Sequence, residues 1–366
     1  MKKILFYINS IGHGGAERVI VNLANQFSLK GYNVLMVTSF KSDKEYKLND
    51  NVKRISIFET YVNESFIKRN ISLCKSLRRI CKHEKPNIII SFMGENNFRA
   101  ILSTMFLNTK TLISVRNDPN REYPNKMFKF IAKTLYCFAN GCVFQTEDAR
   151  AWFPKIIQRK SKIILNQVSD KFYNLNSEQK KENIVAVGRL EESKNHKLLI
   201  NAFSVIAKDF PNEKLIIYGD GSLYEDLKNY SIKKGLKDRV VLRGFEDNIE
   251  NKIKNSKLLV LPSNYEGLPN VVMEAMTIGI PVIATDCPCG GPRMLIEHNK
   301  NGILVPVGDS VSLAKELNRL LKDDELRKEI SLNARDRAKD FEPSKIFKVW
   351  NEYVEEIIGT YEKRIV

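Results

Sequence analysis

The chain has 366 residues, too long for a typical single core and suited to two domains of ordinary size, and its composition, 43% hydrophobic and 28% charged, predicts a globular, soluble body. No apolar run approaches the ~20 residues that span a bilayer, and neither the scattered cysteines (Cys74, Cys81, Cys137, Cys142, Cys287, Cys289) nor the four histidines (His13, His83, His196, His298) show disulfide-framework or metal-ligand spacing. The net charge of +16 is uneven: residues 1–170 hold 28 Lys and Arg against 13 Asp and Glu, residues 171–366 hold 31 against 30, so one lobe favours an anionic partner such as nucleic acid, an anionic membrane or a phosphorylated substrate.

The N-terminal apolar run, Ile4 to Ile8, is too short for a signal peptide and lacks a small-residue cleavage site, so it reads as a first strand (KILFYI, 3–8). Buried parallel strands are predicted next at 33–39, 87–92, 111–115 and 141–146. A helix is predicted from Glu17 to Lys30, with Val19, Ile20, Leu23, Ala24 and Phe27 on one face. Residues 171–183 are polar and aperiodic and read as a linker. The strand-helix alternation then restarts. Strands are predicted at 184–188, 214–219, 239–244, 257–263 and 281–285, and helices at Leu198–Phe210, Leu223–Gly235 and Asn270–Gly279. Terminal helices are predicted at Ser312–Leu321 and Asp324–Phe341. Pro343 then opens a last helix with Ile346, Trp350, Val354 and Ile357 on one stripe. This is α/β architecture in two doubly wound domains, where ligands bind outside the carboxyl ends of the strands.

Three segments at such strand ends carry candidate chemistry. The first, Gly12 to Arg18, opens a helix with Gly14 and Gly15, which let backbone amides approach an anion. It is not GxGxxG, which disfavours a dinucleotide oxidoreductase, and the blander reading is a tight packing turn. The second, Val187 to Lys194, places Arg189 and Lys194 where a planar fork and a movable point charge can converge on a diphosphate. The blander reading is a solvated basic turn. The third, Glu266 to Glu274, is a Gly/Pro/Asn loop leading into a helix. Its amides offer a phosphate site, and Glu266 and Glu274 offer acceptors for sugar and ribose hydroxyls. The blander reading of Glu274 is a surface helix residue, but Val271, Val272 and Ala275 around it make an unpaired carboxylate costly.

Together these segments resemble the GT-B glycosyltransferases of family 4 (glycosyl transferases group 1). This is the retaining group that includes sucrose-phosphate-synthase-like and bacterial lipopolysaccharide, capsule and N-glycan assembly enzymes. The resemblance covers essentially the whole chain, through GGAER (14–18), GRLEESKN (188–195), YGDGSL (218–223), LRGFEDNI (242–249), EGLPNVVMEAMTIGIPVIATD (266–286), GGPRMLI (290–296) and NGILVPVGD (301–309). It implies two Rossmann-like domains facing a cleft: an acceptor-binding domain at 1–170, a nucleotide-sugar-binding domain at 171–345, and a helix at 346–366 crossing back to the first. It implies that Gly188, Arg189 and Lys194 bind the donor diphosphate and that Glu266 meets the transferred sugar and Glu274 the ribose. The amides of Gly267, Leu268, Pro269 and Asn270 would border the phosphate, and Arg243, Gly244 and Phe245 the base. Arg116 stands where many members carry a histidine. An arginine cannot be a general base, so orientation of substrate or an acceptor phosphate is its expected role.

The resemblance further implies a UDP-sugar donor (UDP-GalNAc, UDP-GlcNAc or UDP-Gal), no metal or other cofactor, and an undecaprenyl-diphosphate-linked acceptor. The segment from Phe66 to Lys85 reads as a basic amphipathic helix with Ile67, Ile71, Leu77 and Ile80 near one face. It suits either an anionic membrane surface or ordinary packing on the sheet. The aromatic stretch Met127 to Phe138 is a second candidate for lipid contact. A cytoplasmic enzyme, peripherally attached to the inner face of the membrane, is the resulting expectation. A non-hydrolysing nucleotide-sugar epimerase of the same shape is the alternative enzyme. A nucleic-acid-binding protein is the distant one, and no recognised nucleic-acid module appears.

Overall fold

Thirteen short runs of apolar, often β-branched residues form strands in the computed structural model, which describes residues 1–12, 14–61, 65–175 and 182–359. The chain divides into two compact units, Met1–Asn166 with Ser344–Val366, and Gln167–Pro343. The first unit contains β1 (Lys3–Ile8), β2 (Asn33–Phe40), β3 (Lys53–Phe58), β4 (Ile88–Phe92), β5 (Lys110–Ser114), β6 (Gly141–Phe144) and β7 (Ser161–Ile163). They form one parallel sheet in the order β3-β2-β1-β4-β5-β6-β7. The second contains β8 (Glu182–Val187), β9 (Leu215–Tyr218), β10 (Val240–Gly244), β11 (Ser256–Leu261), β12 (Val282–Thr285) and β13 (Ile303–Val305), in the order β10-β9-β8-β11-β12-β13, again parallel. The strand order of each sheet reverses once, between β1 and β4 and between β8 and β11, and a doubly wound sheet binds ligands at that switch point.

The sequence reading misses β3, β7 and β13. All three are sheet edges. An edge strand has one paired neighbour, so it can be short or carry polar residues, as Lys53 and Arg54 do on β3. The reading also takes Lys171–Tyr173 as linker. They belong instead to a short helix, Asp170–Tyr173, with Phe172 buried and the Tyr173 hydroxyl donating to the Ala338 carbonyl at 2.9 Å. Two apolar side chains dock this otherwise polar stretch; the rest of the expected linker at 176–181 lies outside the described residues.

The Gly15–Leu29 helix buries Val19, Ile20, Leu23, Ala24 and Phe27 against the first sheet. The Pro343–Gly359 helix buries Ile346, Trp350, Val354 and Ile357 in the same core. Trp350 stacks on Phe92 at the end of β4, with ring centroids 5.9 Å apart. The Tyr353 hydroxyl donates to the Lys160 carbonyl at 2.5 Å and accepts from the Cys142 amide at 3.1 Å. The Phe66–Glu84 helix divides along its length: Leu73, Leu77 and Cys81 are buried, while Phe66, Ile67 and Ile71 of its first turns are exposed. No helix among the described residues is long and apolar enough to cross a membrane.

Candidate active site

The second sheet's switch point lies between β8 and β11, and the segments leaving their carboxyl ends are knitted together. After β8 comes the turn Gly188–Asn195, and after β11 the loop Pro262–Pro269. Asn264 joins them. Its amide N–H donates to the Ser193 carbonyl at 2.8 Å, its side-chain NH2 donates to the Glu192 carbonyl at 2.8 Å, and its side-chain oxygen accepts from Asn195 at 2.9 Å. Asn195 also caps the His196–Ile206 helix.

This stitching brings Lys194 to Glu266. The Lys194 Nζ donates to Glu266 Oε1 at 2.5 Å, and the Ser263 hydroxyl donates to the same oxygen at 2.6 Å. Both charged side chains are mostly buried and Ser263 is fully so. Arg189 differs: its side chain is 72% exposed, paired with Glu191 at 3.0 Å, and so is open to an incoming anion. Glycines allow the close approach. A Cβ at Gly219 would lie 2.0 Å from the Gly188 carbonyl oxygen, and the Gly219 amide donates to the Gly244 carbonyl at 2.7 Å. The ends of β8, β9 and β10 are thereby packed backbone to backbone. Arg243 and Phe245 flank Gly244 in the open, and the Phe245 amide donates to Asp220 Oδ2 at 3.1 Å.

The Glu266 loop is clamped from behind by the Cys287–Gly291 segment. The Glu266 amide donates to the Pro288 carbonyl at 2.8 Å, and the Cys289 amide donates to the Glu266 carbonyl at 3.1 Å. A Cβ at Gly291 would fall 1.6 Å from the Gly267 carbonyl oxygen, so no larger residue fits there. Gly267, Leu268 and Pro269 lead into the Asn270–Ile278 helix. Glu274 sits one turn in, on the same face as Asn270. It is 5% exposed, which rules out the surface-residue reading. Burial of a carboxylate in that apolar helix demands partners.

His196, the first residue of its helix, is 3% exposed. Burial, reinforced by the Lys194 charge, pushes its pKa down to about 4, although the backbone of Gly188 and Arg189 pulls the other way. A neutral imidazole therefore lies beneath the β8 turn. Among the described residues, no group of three or more His, Cys, Asp or Glu is placed to hold a metal ion.

In the first unit, Arg116 follows β5. Its guanidinium lies 3.7 Å from the Phe92 ring centroid and 5.6 Å from that of Trp350. Its Nη1 donates to Asn166 Oδ1 at 2.7 Å. Nε and Nη2 are shielded from solvent and have no hydrogen-bond partner among the described residues. Burial pushes its pKa down to about 9, so it remains charged at neutral pH. Gly14 caps the Gly15–Leu29 helix at the end of β1, with the Glu17 carboxylate close above it.

Residues 168–337 match the model of the family described as Glycosyl transferases group 1, and residues 13–170 that of Glycosyltransferase Family 4. A Campylobacter jejuni protein, named GalNAc-alpha-(1->4)-GalNAc-alpha-(1->3)-diNAcBac-PP-undecaprenol alpha-1,4-N-acetyl-D-galactosaminyltransferase, is 31% identical over 98% of this chain and 99% of its own. The chain belongs to glycosyltransferase family 4. An Escherichia coli relative, UDP-Gal:alpha-D-GlcNAc-diphosphoundecaprenol alpha-1,3-galactosyltransferase, is 28% identical over 79% of this chain and 80% of its own. Among solved structures, Anabaena HepE in complex with UDP and glucose superposes with a TM-score of 0.83 at 20% identity, covering 97% of this chain and all of that one. Sucrose-phosphate synthase from Thermosynechococcus elongatus reaches 0.84 at 17%, covering 98% and 100%. The fold is GT-B, and the protein is a glycosyltransferase.

For this glycosyltransferase, the structure brings Gly188, Lys194 and Glu266 into one cluster with Arg189 at its rim. Gly267, Leu268, Pro269, Asn270 and Glu274 follow on the adjoining loop and helix, and Arg243, Gly244 and Phe245 stand at the neighbouring strand end. Arg116, Gly14 and Gly15 lie in the other unit. The sequence reading does not single out Ser263 or Asn264, and it considers His196 only as a metal ligand. Asn195 and Asn264 at two strand ends are the available signal for a side-chain stitch.

Proposed function

We propose that this glycosyltransferase moves a hexose or N-acetylhexosamine from a UDP-sugar, with retention of configuration, to an undecaprenyl-diphosphate-linked saccharide in bacterial surface polysaccharide or glycan assembly. The observation that carries the donor half is that exposed Arg189 and the Lys194–Glu266 pair sit on the segments leaving β8 and β11 at the switch point of the second sheet. Support for the acceptor class comes from the substrates in the names of the Campylobacter and Escherichia relatives, and the latter name also carries UDP-Gal.

In this scheme the anomeric C1–O bond breaks with its electron pair going to the diphosphate. Arg189, Lys194 and the backbone N–H groups within the Gly267–Asn270 loop, where Pro269 has none to give, take up the developing charge. The acceptor hydroxyl attacks C1 from the same face, and its proton passes to the departing phosphate oxygen. Glu266 receives sugar hydroxyls, Glu274 the ribose, and Arg243 to Phe245 flank the base. The two cations and the helix terminus supply the countercharge, so the scheme needs no metal. In the first unit the Gly14 amide donates to the Gly12 carbonyl at 3.0 Å and the Glu17 carboxylate lies over Gly14, so the Gly14–Gly15 turn contributes no anion site in this scheme. Arg116, whose two idle donors lack a carboxylate partner among the described residues, orients substrate or binds acceptor phosphate. A charge buried without a counterion destabilises the fold and is relieved by an anionic ligand. The excess charge of this unit and its exposed apolar residues suit peripheral attachment to the inner, anionic face of the cell membrane.

A thermal-shift screen of UDP-GalNAc, UDP-GlcNAc and UDP-Gal tests the donor. A cognate donor at ~100 times its Kd adds ~2.7 kcal/mol of stability. Arg189→Ala is expected to lower kcat/KM by about two orders of magnitude or more, and near-normal turnover overturns its role. Incubation with donor but no acceptor separates transfer from epimerisation, since an epimerase alone would convert the sugar.

A further inference from the structure

Lys194 and Glu266 face a conflict. The proposed function assigns Lys194 to the donor diphosphate and Glu266 to the sugar. Yet the two hold each other at 2.5 Å, mostly out of water. A lysine cannot give its full charge to a phosphate while it neutralises a carboxylate. Resting on that donor assignment, we propose that the Lys194–Glu266 pair is an internal competitor for the donor diphosphate, and that Ser263 is the positioning residue that keeps Glu266 seated when Lys194 leaves it.

The geometry suits an exchange. The lysine ammonium is a point charge with three donors on a flexible stem, so it can turn toward phosphate without a backbone change. Its stem runs beside Gly188, where a Cβ would lie 3.3 Å from Lys194 Cδ; the bare glycine leaves the stem room. Glu266 is fixed more firmly. Its amide and carbonyl are both bonded to the Pro288–Cys289 backbone. The Ser263 hydroxyl donates to Oε1 at 2.6 Å, and the Ser263 carbonyl is itself held by the Thr285 hydroxyl at 2.6 Å.

Removing one partner of a buried ion pair is costly because the other is left uncompensated. A nucleoside diphosphate that draws off Lys194 therefore binds against the loss of that pair. An intact nucleotide sugar restores the balance, because its sugar hydroxyls donate to Glu266. Once the sugar has been transferred, Glu266 is again short of a donor, reclaims Lys194, and loosens the diphosphate that remains. The pair thus favours the substrate donor over the product nucleotide and promotes product release.

The test is UDP binding by titration calorimetry to the full chain and to Glu266→Gln, Ser263→Ala, Lys194→Met and the Glu266→Gln/Lys194→Met double variant. Glu266→Gln, which is isosteric, is expected to bind UDP roughly tenfold more tightly, about 1.4 kcal/mol, because Lys194 is released. Ser263→Ala is expected to bind it more weakly, because Glu266 then relies wholly on Lys194. A merely structural role would move both variants in the same direction. In the Lys194→Met background the Glu266→Gln gain is expected to vanish. If it persists there, simple repulsion between Glu266 and phosphate explains it and the exchange is overturned, as it also is if Glu266→Gln leaves UDP affinity unchanged or weaker. If Glu266→Gln does not fold, the sign of Ser263→Ala decides. UDP binding by none of these proteins, or UDP binding that Lys194→Met leaves unchanged, would overturn the donor assignment and the exchange with it, whereas UDP binding weakened by Lys194→Met but indifferent to Glu266→Gln and Ser263→Ala overturns the exchange alone.

Discussion

The two units are wound alike and charged differently. Both sheets share one winding, with the first strand central and a single reversal beside it. Yet the first unit holds 32 Lys and Arg against 16 Asp and Glu, and the second 27 against 27. At the strand ends the contrast continues. In the second unit Arg189 is matched by Glu191 and Lys194 by Glu266. In the first, Arg116 rests on aromatic rings and an amide, with two donors idle. Balanced charge suits a site that binds and releases one small anion. An uncompensated field suits a partner that brings its own negative charge, such as a lipid-linked diphosphate on an anionic surface. One scaffold can therefore serve both ends of a transfer reaction by varying its strand-end residues.

The largest effect that would sharpen this contrast lies at the balanced site. Lys194→Ala is expected to lower kcat/KM about 10²–10³-fold, the range for losing one donor to a developing charge. Steady-state kinetics with donor varied would show the loss in both kcat and donor KM. An unchanged kcat would remove Lys194 from the chemistry.

The second prediction sets the units against each other by pH. His196 is pushed down to about 4 by burial, so between about 4 and 6.5 the unfolded chain binds more protons than the folded one. Its unit gains stability as pH rises through that window. Glu122 is pushed up to about 7 by burial, although the Gly94 amide donates to its Oε1 and pulls it back; its Oε2 has no hydrogen-bond partner among the described residues. Between about 4.5 and 7 the folded state binds the extra proton, and the first unit loses stability as pH rises. Each effect is on the order of 3 kcal/mol across its window. Unfolding midpoints against pH for His196→Gln and Glu122→Gln check the signs. His196→Gln should gain on the parent as pH falls below about 6.5, and Glu122→Gln should gain as pH rises toward 7. Parallel curves for parent and variants would break the opposition.

Third in size is Arg116. Arg116→Ala is expected to raise acceptor KM about 10–100-fold, in line with ~1.5–3 kcal/mol for hydrogen bonds to a charged group. UDP affinity should stay unchanged, because the donor residues lie in the other unit. A loss of UDP affinity instead would contradict the division of labour.

Most of this architecture was legible in the sequence because central parallel strands are continuous apolar runs. The ten runs in KILFYI to PVIAT mark every interior strand of both sheets. The three strands that were missed are edges, where half the pairing and burial is absent and the apolar signal fades. The second unit's site was legible for a related reason: glycines and charges cluster just after strands. What could not be read was pairing. Nothing in the spacing says that Lys194 rests on Glu266 or that Asn264 ties two loops, because the two loops are about 70 positions apart; Ser263 lies only three positions before Glu266, but in a Gly/Pro loop with no period to say which way either side chain turns. The Phe66–Glu84 helix was ambiguous in sequence because the one helix has two environments. Its later turns pack on the sheet and its first turns do not.

Those first turns carry the last effect, the smallest per side chain. Phe66, Ile67 and Ile71 are exposed, and Phe66 meets Phe128 edge to face at 6.5 Å, which joins them to the helix Lys126–Leu135 and its exposed Met127 and Phe130. Lys68, Lys75 and Lys126 stand exposed around this surface. Two forces should then hold the unit on an anionic bilayer. The lysines contribute about 1 kcal/mol each, screened by salt, and the apolar side chains about 1–2 kcal/mol each, which salt leaves intact. Sedimentation with anionic vesicles across a salt series separates them. Lys68→Glu with Lys126→Glu should flatten the salt dependence, whereas Ile67→Ser with Phe130→Ser should preserve it and remove the binding that survives high salt. If the parent protein shows no salt-sensitive binding, the excess charge of the first unit serves the acceptor's diphosphate alone, and the comparison between the units narrows from a surface to a single site.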